Sequence, residues 1–402
     1  MSIAAVPDYL SKDFSGASPG MRFGMYLKLW ERPAWAKTKD KPLEEAKRLN
    51  DNDKKTMAAL CARQQQAFDG IASAAAGLRL DARSVAPFTT GLGNEHPLEN
   101  GFAFLNPYGL PYLPGSGVKG VLRQAARELA SGEWPGARGC WGDDEKPFSV
   151  VIQKKTVALS TLDVLFGRQT EDGASEHVRG VLSFWDVIPQ IKGDSLTVEI
   201  MTPHQGHYYQ QGGTPHESGQ LNPISFLTVP PGSDFTFHVV CDLPRLRRLA
   251  PELAQNDQWK HLLTAAFEHA FEWLGFGAKT AVGYGVMRRD QKAEAARQKA
   301  QEEARREAET ANMTPQQQTV QKFQHDMQKR FEALRGKPVR PNGEEYNWAR
   351  QLAKAALEEQ GWTPEERRAA ADAIELWLPK VVSVMMKDER KKLKLNALRG
   401  ES

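Results

Sequence analysis

Cysteine is scarce in this 402-residue chain. Only Cys61, Cys140 and Cys241 occur, far apart and with no C-x-x-C pair. That argues against a disulfide framework or a zinc ribbon and suits a reducing compartment. No apolar run reaches the roughly 18 residues that a membrane helix needs. The N-terminus has no charged stretch followed by an apolar one, so no signal peptide is read there. The expectation is a cytoplasmic protein without a membrane partner. An excess of one charge is missing too: 53 Lys plus Arg stand against 50 Asp plus Glu, a formal net charge of +3. No global basic field draws in a polyanion, so any nucleic-acid contact must come from local patches.

What is present begins with Gly275-Phe276-Gly277-Ala278-Lys279-Thr280-Ala281-Val282-Gly283-Tyr284-Gly285. Glycines permit positive φ and close approach of a polyanion, and successive N–H groups beside a Lys make a phosphate cradle. The spacing does not match the P-loop G-x-x-x-x-G-K-[ST]. Nor is this a dinucleotide fingerprint, because the loop closes a helix and opens a strand. Gly277, Lys279, Thr280 and Gly283 are therefore candidate backbone contacts to a nucleic acid. The plainer alternative is a tight helix-to-strand turn.

A second cradle lies upstream. Pro114-Gly115-Ser116-Gly117 precedes a helix whose apolar stripe is Val118, Val121, Leu122, Ala125, Ala126 and Leu129. Lys119, Arg123 and Arg127 recur every four residues on another face. Gly115, Ser116, Lys119 and Arg123 form a candidate phosphate site at the helix start, with a solvated charged face as the alternative.

The rest of the chain sorts by periodicity. Residues 1–50 are irregular and hold Tyr9, Phe14, Phe23, Tyr26, Trp30 and Trp35, too many aromatics for a solvated tail. A helix is expected over 51–78 and a strand over Leu78–Thr89. Further strands are expected at Val181–Val187, Leu196–Met201, Ile224–Val229 and Phe235–Val240. A helix at Gln258–Leu274 and a strand at Tyr284–Arg288 follow. This order predicts an α+β fold of ferredoxin-like type, with helices on one face of an antiparallel sheet. Thr314-Pro315-Gln316-Gln317 and Thr363-Pro364-Glu365-Glu366 have capping-box spacing. The chain thus divides into an N-terminal extension and helix (1–80), a core (81–289), a charged linker (290–312) and a small helical domain (313–402). That domain ends in a basic run, Lys387, Arg390, Lys391, Lys392, Lys394 and Arg399, either an RNA contact or a solvated helix end.

Catalytic and metal chemistry find little support. His204, His207 and His216 lie in a Gly- and Pro-rich segment with no cysteine or acidic cluster to complete a zinc site, so neither metal nor cofactor is expected. His204, Tyr208 and Tyr209 suit base stacking or hydrogen bonding to RNA better. Asp186 and Asp163 each lack a nearby His or Lys partner in sequence. His96, beside Asn94 and Glu95, is the better acid–base candidate if the chain cuts RNA.

Several segments in order resemble one family. Pro111-Tyr112-Leu113-Pro114-Gly115-Ser116-Gly117-Val118-Lys119-Gly120-Val121-Leu122-Arg123 resembles a "PYIPGSSLKGVLR" segment. Leu165-Phe166-Gly167 with Gly180–Pro189 resembles an "LFG … G-x-L-x-F-x-D-x-x-P" block, and Gly275–Gly285 resembles a "G-x-G-A-K-T-A-x-G-Y-G" loop. These mark the RAMP superfamily of CRISPR-associated proteins. Met201-Thr202-Pro203-His204 with Tyr208-Tyr209 resembles its sixth-subunit branch in type III-B Cmr effectors. The likeness spans residues 85–289 and departs at Gly117, where a second serine is usual. It implies an RRM-like core and a non-catalytic backbone subunit of an antiviral ribonucleoprotein. Such a subunit binds the 3′ end of the CRISPR guide RNA and the guide–target duplex, beside other Cmr RAMP subunits. Its alternative is a RAMP endoribonuclease that processes CRISPR repeat RNA.

Overall fold

The computed structural model describes residues 2–10, 13–37, 42–71, 75–134, 141, 148–152, 154–168, 177–202, 223–311, 313–335, 337–341 and 343–400. It contains two compact units, Met1–Glu294 and Ala295–Ser402. In the first, helix α1 (Asp51–Ile71) leads to strand β1 (Gly77–Ser84), helix α2 (Gly115–Ala130) and strand β2 (Leu182–Phe184). A hairpin follows, β3 (Thr197–Met201) and β4 (Ile224–Thr228). Strand β5 (Asp234–Cys241), helix α3 (Gln258–His269) and strand β6 (Met287–Arg289) complete the set.

The main sheet has the order β2-β5-β1-β6, every neighbour antiparallel. In chain order this is strand–helix–strand, strand–helix–strand with the first strand between the third and the fourth. That is the ferredoxin-like arrangement expected from sequence. The β3–β4 hairpin is inserted between β2 and β5 as its own two-stranded sheet.

Alternation explains which face is covered by helices. Leu80 and Ala82 of β1 and Phe235, Phe237 and Val239 of β5 are buried in one core with α2 and α3. Phe237 meets Phe267 of α3 at 5.2 Å and Phe276 of the glycine loop at 5.1 Å between ring centroids. From α2, Leu122, Ala125 and Ala126 are wholly buried, matching the expected stripe.

The other sheet face is not an open platform. His238 of β5, paired in register with Arg79 of β1, lies 4.9 Å from the Phe68 ring of α1 and 5.7 Å from Trp185. The Arg79 guanidinium sits over Phe68 and bonds Asp69 at 3.2 Å. Single-stranded RNA is commonly stacked on this face of RRM domains, but here α1 occupies it at these positions.

Several boundaries differ from expectation. β1 ends at Ser84, and Ala86–Thr89 instead bonds the hairpin root and the glycine loop. Pro87 has no N–H to continue a ladder. α3 stops at His269, and Ala270–Leu274 forms a π-helical turn. β2 shrinks to Leu182–Phe184 because Asp186 turns out to cap α2. The N-terminal extension packs on its own unit: Phe23, Leu27 and Leu29 join the main core, and Phe14 stacks on Tyr26 at 4.3 Å.

The second unit is helical, following α4 (Gln291–Ala311): α5 (Pro315–Leu334), α6 (Glu344–Glu358), α7 (Pro364–Val381) and two short helices. Both capping boxes form, Thr314 with Gln317 and Thr363 with Glu366. Phe323, Met327, Leu352, Ile374 and Leu378 are among the residues filling its core.

Candidate nucleic-acid interface

The start of α2 is a structural joint. Pro114 occupies the N-cap position without a side chain that can bind the free N–H groups. Asp186 Oδ1 accepts the Gly115 N–H at 2.7 Å instead. A Cβ on Gly115 would overlap the carbonyl oxygen of Phe184, so glycine seats the helix against β2. The helix dipole at this end meets a carboxylate of the protein itself.

The solvent face of α2 is different. Ser116 and Arg127 are exposed, and Lys119 and Arg123 are half-buried. Arg179, on the short strand Val178–Arg179, joins the row. Burial, then the positive neighbours Arg123 and Arg179, lowers the pKa of the Lys119 ammonium. Burial and then Arg127 lower that of Arg123, against a smaller opposing pull from Asp163. None of the four cations makes an ion pair among the described residues, and Arg123 Nε is buried without a partner. Like charges gathered without ion-pair partners among the described residues disfavour one another, and an anion bound across them relieves that. Sequence spacing identified Lys119, Arg123 and Arg127. Arg179 escaped it because only the fold brings residue 179 beside α2.

The glycine loop is arranged otherwise. Ala278 N–H bonds Thr89 O at 2.8 Å, Gly285 N–H bonds Pro87 O at 2.8 Å and Phe276 N–H bonds Gly285 O at 3.0 Å. A Cβ on Gly277 would overlap the Thr89 oxygen, and one on Gly285 the Phe276 oxygen. Gly283 alone faces open space, at φ +92°. Lys279 is left-handed, and its ammonium points at the hairpin, 2.8 Å from Met201 Sδ and 5.3 Å from the Phe226 ring centroid. Thr280 is half-buried. The candidates His204 and Tyr208, with His207, Tyr209 and His216, lie outside the described residues.

The acid–base candidates are engaged elsewhere. His96 Nδ1 accepts the Leu98 N–H at 3.2 Å, so Nε2 carries the proton and donates to Phe23 O at 3.0 Å. Its ring stacks on Phe23 at 3.9 Å, and burial lowers its pKa. Asp163 closes a capping box with Ser160. Among the described residues no group of His, Cys, Asp and Glu side chains could hold a metal, and no helix is long and apolar enough to cross a membrane. Part of the C-terminal basic run is neutralised: Arg390 pairs with Glu375, Arg399 with Asp372 and Glu375, and Lys392 with Glu389.

The family model of the RAMP superfamily matches residues 81–288, nearly all of the ferredoxin-like core with both glycine-led turns. The chain belongs to the RAMP superfamily. Within it, the chain is similar to the CRISPR system Cmr subunit Cmr6 of Pyrococcus furiosus, 29% identical over 241 residues. That match covers 48% of this chain and 63% of the relative, so it spans less than two thirds of the relative's length. A chain in the cryo-EM structure of the type III-B Cmr-beta bound to cognate target RNA aligns with a TM-score of 0.41 and 16% identity, over 61% of this chain and 69% of that one. The crystal structure of Cmr6 from Pyrococcus furiosus aligns with a TM-score of 0.29 and 25% identity, over 53% and 98%. The RAMP match leaves α1, the N-terminal extension and the helical second unit outside it.

Proposed function

We propose that this RAMP protein is a backbone subunit of a type III-B CRISPR effector that holds the 3′ end of the guide RNA, and the guide–target duplex, by its phosphates without cutting RNA itself. The carrying observation is the row of Lys119, Arg123 and Arg127 on one face of α2 with Arg179 beside it, free of ion pairs among the described residues. A backbone grip needs cations and exposed donors, not base-reading pockets, and gives sequence-independent affinity. The similarity to Cmr6, a CRISPR system Cmr subunit, supports the placement in a Cmr assembly. The engaged nitrogens of His96 favour the non-catalytic reading over repeat-RNA processing.

The test is photocrosslinking of the assembled complex, loaded with a guide RNA of defined sequence, followed by mass spectrometry of RNA-bearing peptides. Crosslinks are expected on peptides spanning 115–130 and 177–182. An RNA-loaded complex whose crosslinks in this subunit fall only outside those peptides overturns the placement of the site. A complex that assembles with guide RNA without this subunit overturns the function.

A further inference from the structure

Resting on that functional reading, we infer that Lys279 is a positioning residue that fastens the glycine loop to the β3–β4 hairpin, and not a phosphate ligand. The loop touches the hairpin at two points. Lys279 reaches Met201 at the end of β3 and the Phe226 ring in β4. Tyr284, five residues on, packs its ring on Phe226 at 5.8 Å between centroids. Glu199, opposite Phe226 in the hairpin register, helps burial to raise the pKa of the Tyr284 hydroxyl.

A third segment closes the joint. Phe88 and Val229 exchange backbone hydrogen bonds of 3.0 and 2.7 Å, and Thr89 Oγ1 donates to Leu227 O at 2.9 Å. The same short stretch receives the loop's Ala278 and Gly285 N–H groups. The stretch 86–89 is thus bonded both to the hairpin root and to the glycine loop. Lys279 and Tyr284 add side-chain contacts between the two members that carry no backbone bond to each other in this set.

The lysine's partners fit fastening. A thioether is a weak acceptor and an aromatic face is a soft partner for a cation. Neither neutralises the charge, but both fix the direction of the side chain. The left-handed backbone at Lys279 is sparsely used by residues with a Cβ, and here it turns the side chain toward the hairpin. Removing the charge while keeping the stem should therefore loosen the hairpin even with no RNA present.

The experiment pairs Lys279→Met with Lys279→Arg. Hydrogen exchange is followed on peptides covering 197–201 and 224–228 in the RNA-free protein, and RNA affinity is then measured against salt. Lys279→Met is expected to speed hairpin exchange severalfold and to weaken binding with the salt slope unchanged, and Lys279→Arg to restore both. Unchanged hairpin exchange in Lys279→Met, with a salt slope reduced by about one, would mean a phosphate contact and overturn the inference. If the wild-type protein binds no RNA, the functional reading fails, and the exchange result still decides the role of Lys279.

Discussion

At residues 115–123 and again at 275–285 the chain sets glycines beside a lysine, and each stretch alone reads as a phosphate cradle. The fold uses them differently. In the first, Gly115 and Asp186 seat the helix on β2, and the lysine stands on an open face with three arginines. In the second, Gly277 and Gly285 let three backbone segments close together, and the lysine is turned onto Met201 and Phe226. Glycine and lysine in one stretch specify close backbone approach and a cation. Whether the cation is available to an external anion depends on what stands opposite, which sequence spacing does not encode.

The largest effect that separates the two stretches is expected from Gly285→Ala. At φ +73° an L side chain is strained, and its Cβ would overlap backbone atoms of Phe276. Because backbone cannot yield as a flexible side chain does, the cost should exceed about 3 kcal/mol. Thermal unfolding should show the midpoint of the first unit lowered by about five degrees or more. A midpoint within two degrees of wild type would mean that the loop is not locked to its neighbours.

Next comes the removal of charge from the open face. Replacing Lys119, Arg123, Arg127 and Arg179 together by Ala should lower RNA affinity about a thousandfold at moderate salt, at about 1 kcal/mol per phosphate contact. The slope of log affinity against log salt should fall by about 3, from about 0.7 per neutralised phosphate on a single strand. Melting should change little, since no ion pair among the described residues is lost. A large affinity loss with an unaltered slope would make the row structural and erase the contrast with Lys279.

How much of this was legible in the sequence follows the same line. Periodicity located both helices and all four strands of the main sheet, because burial on one face imposes the 3.6- and 2-residue repeats that α2 and β5 show. The capping boxes at Thr314 and Thr363 were legible because their partners lie three residues away. Arg179 beside Lys119, Asp186 on Gly115 and Met201 under Lys279 were not, because each joins residues more than 50 positions apart. The cover of α1 on the sheet was equally hidden. Phe68 reads as a helix core residue, and nothing local says that its ring meets His238.

That cover supplies a contrast between the charged helix face and the closed sheet face. His238 is 4% exposed, neither ring nitrogen has a partner, and burial, with Arg79 second, pushes its pKa down to about 4. The unfolded chain takes up a proton near pH 6.5 that the folded protein takes up only near 4. The stabilisation is therefore complete above about pH 6.5 and is lost as pH falls toward 4, by about 3 kcal/mol at most. Denaturant midpoints should fall across that window in wild type and less steeply in His238→Phe. Parallel profiles would mean that α1 does not seal this face.

The smallest effect probes the open face most finely. Gly120 lies inside α2 between Lys119 and Arg123, is exposed, and has open space where a Cβ would go. Gly120→Ala should therefore raise stability by about 0.5–1 kcal/mol through helix propensity alone. An RNA backbone gripped by the flanking cations would pass close to this position, and an added methyl group would hold it away. Tighter folding combined with severalfold weaker RNA binding would place the strand directly over α2. Higher stability with unchanged binding would mean that the cations reach out from the helix to a strand standing off its surface. In the glycine loop the nearest counterpart is Gly283→Ala, which also meets open space but at φ +92°. It should lose about 1 kcal/mol where Gly120→Ala gains, so the same substitution changes sign between the two stretches.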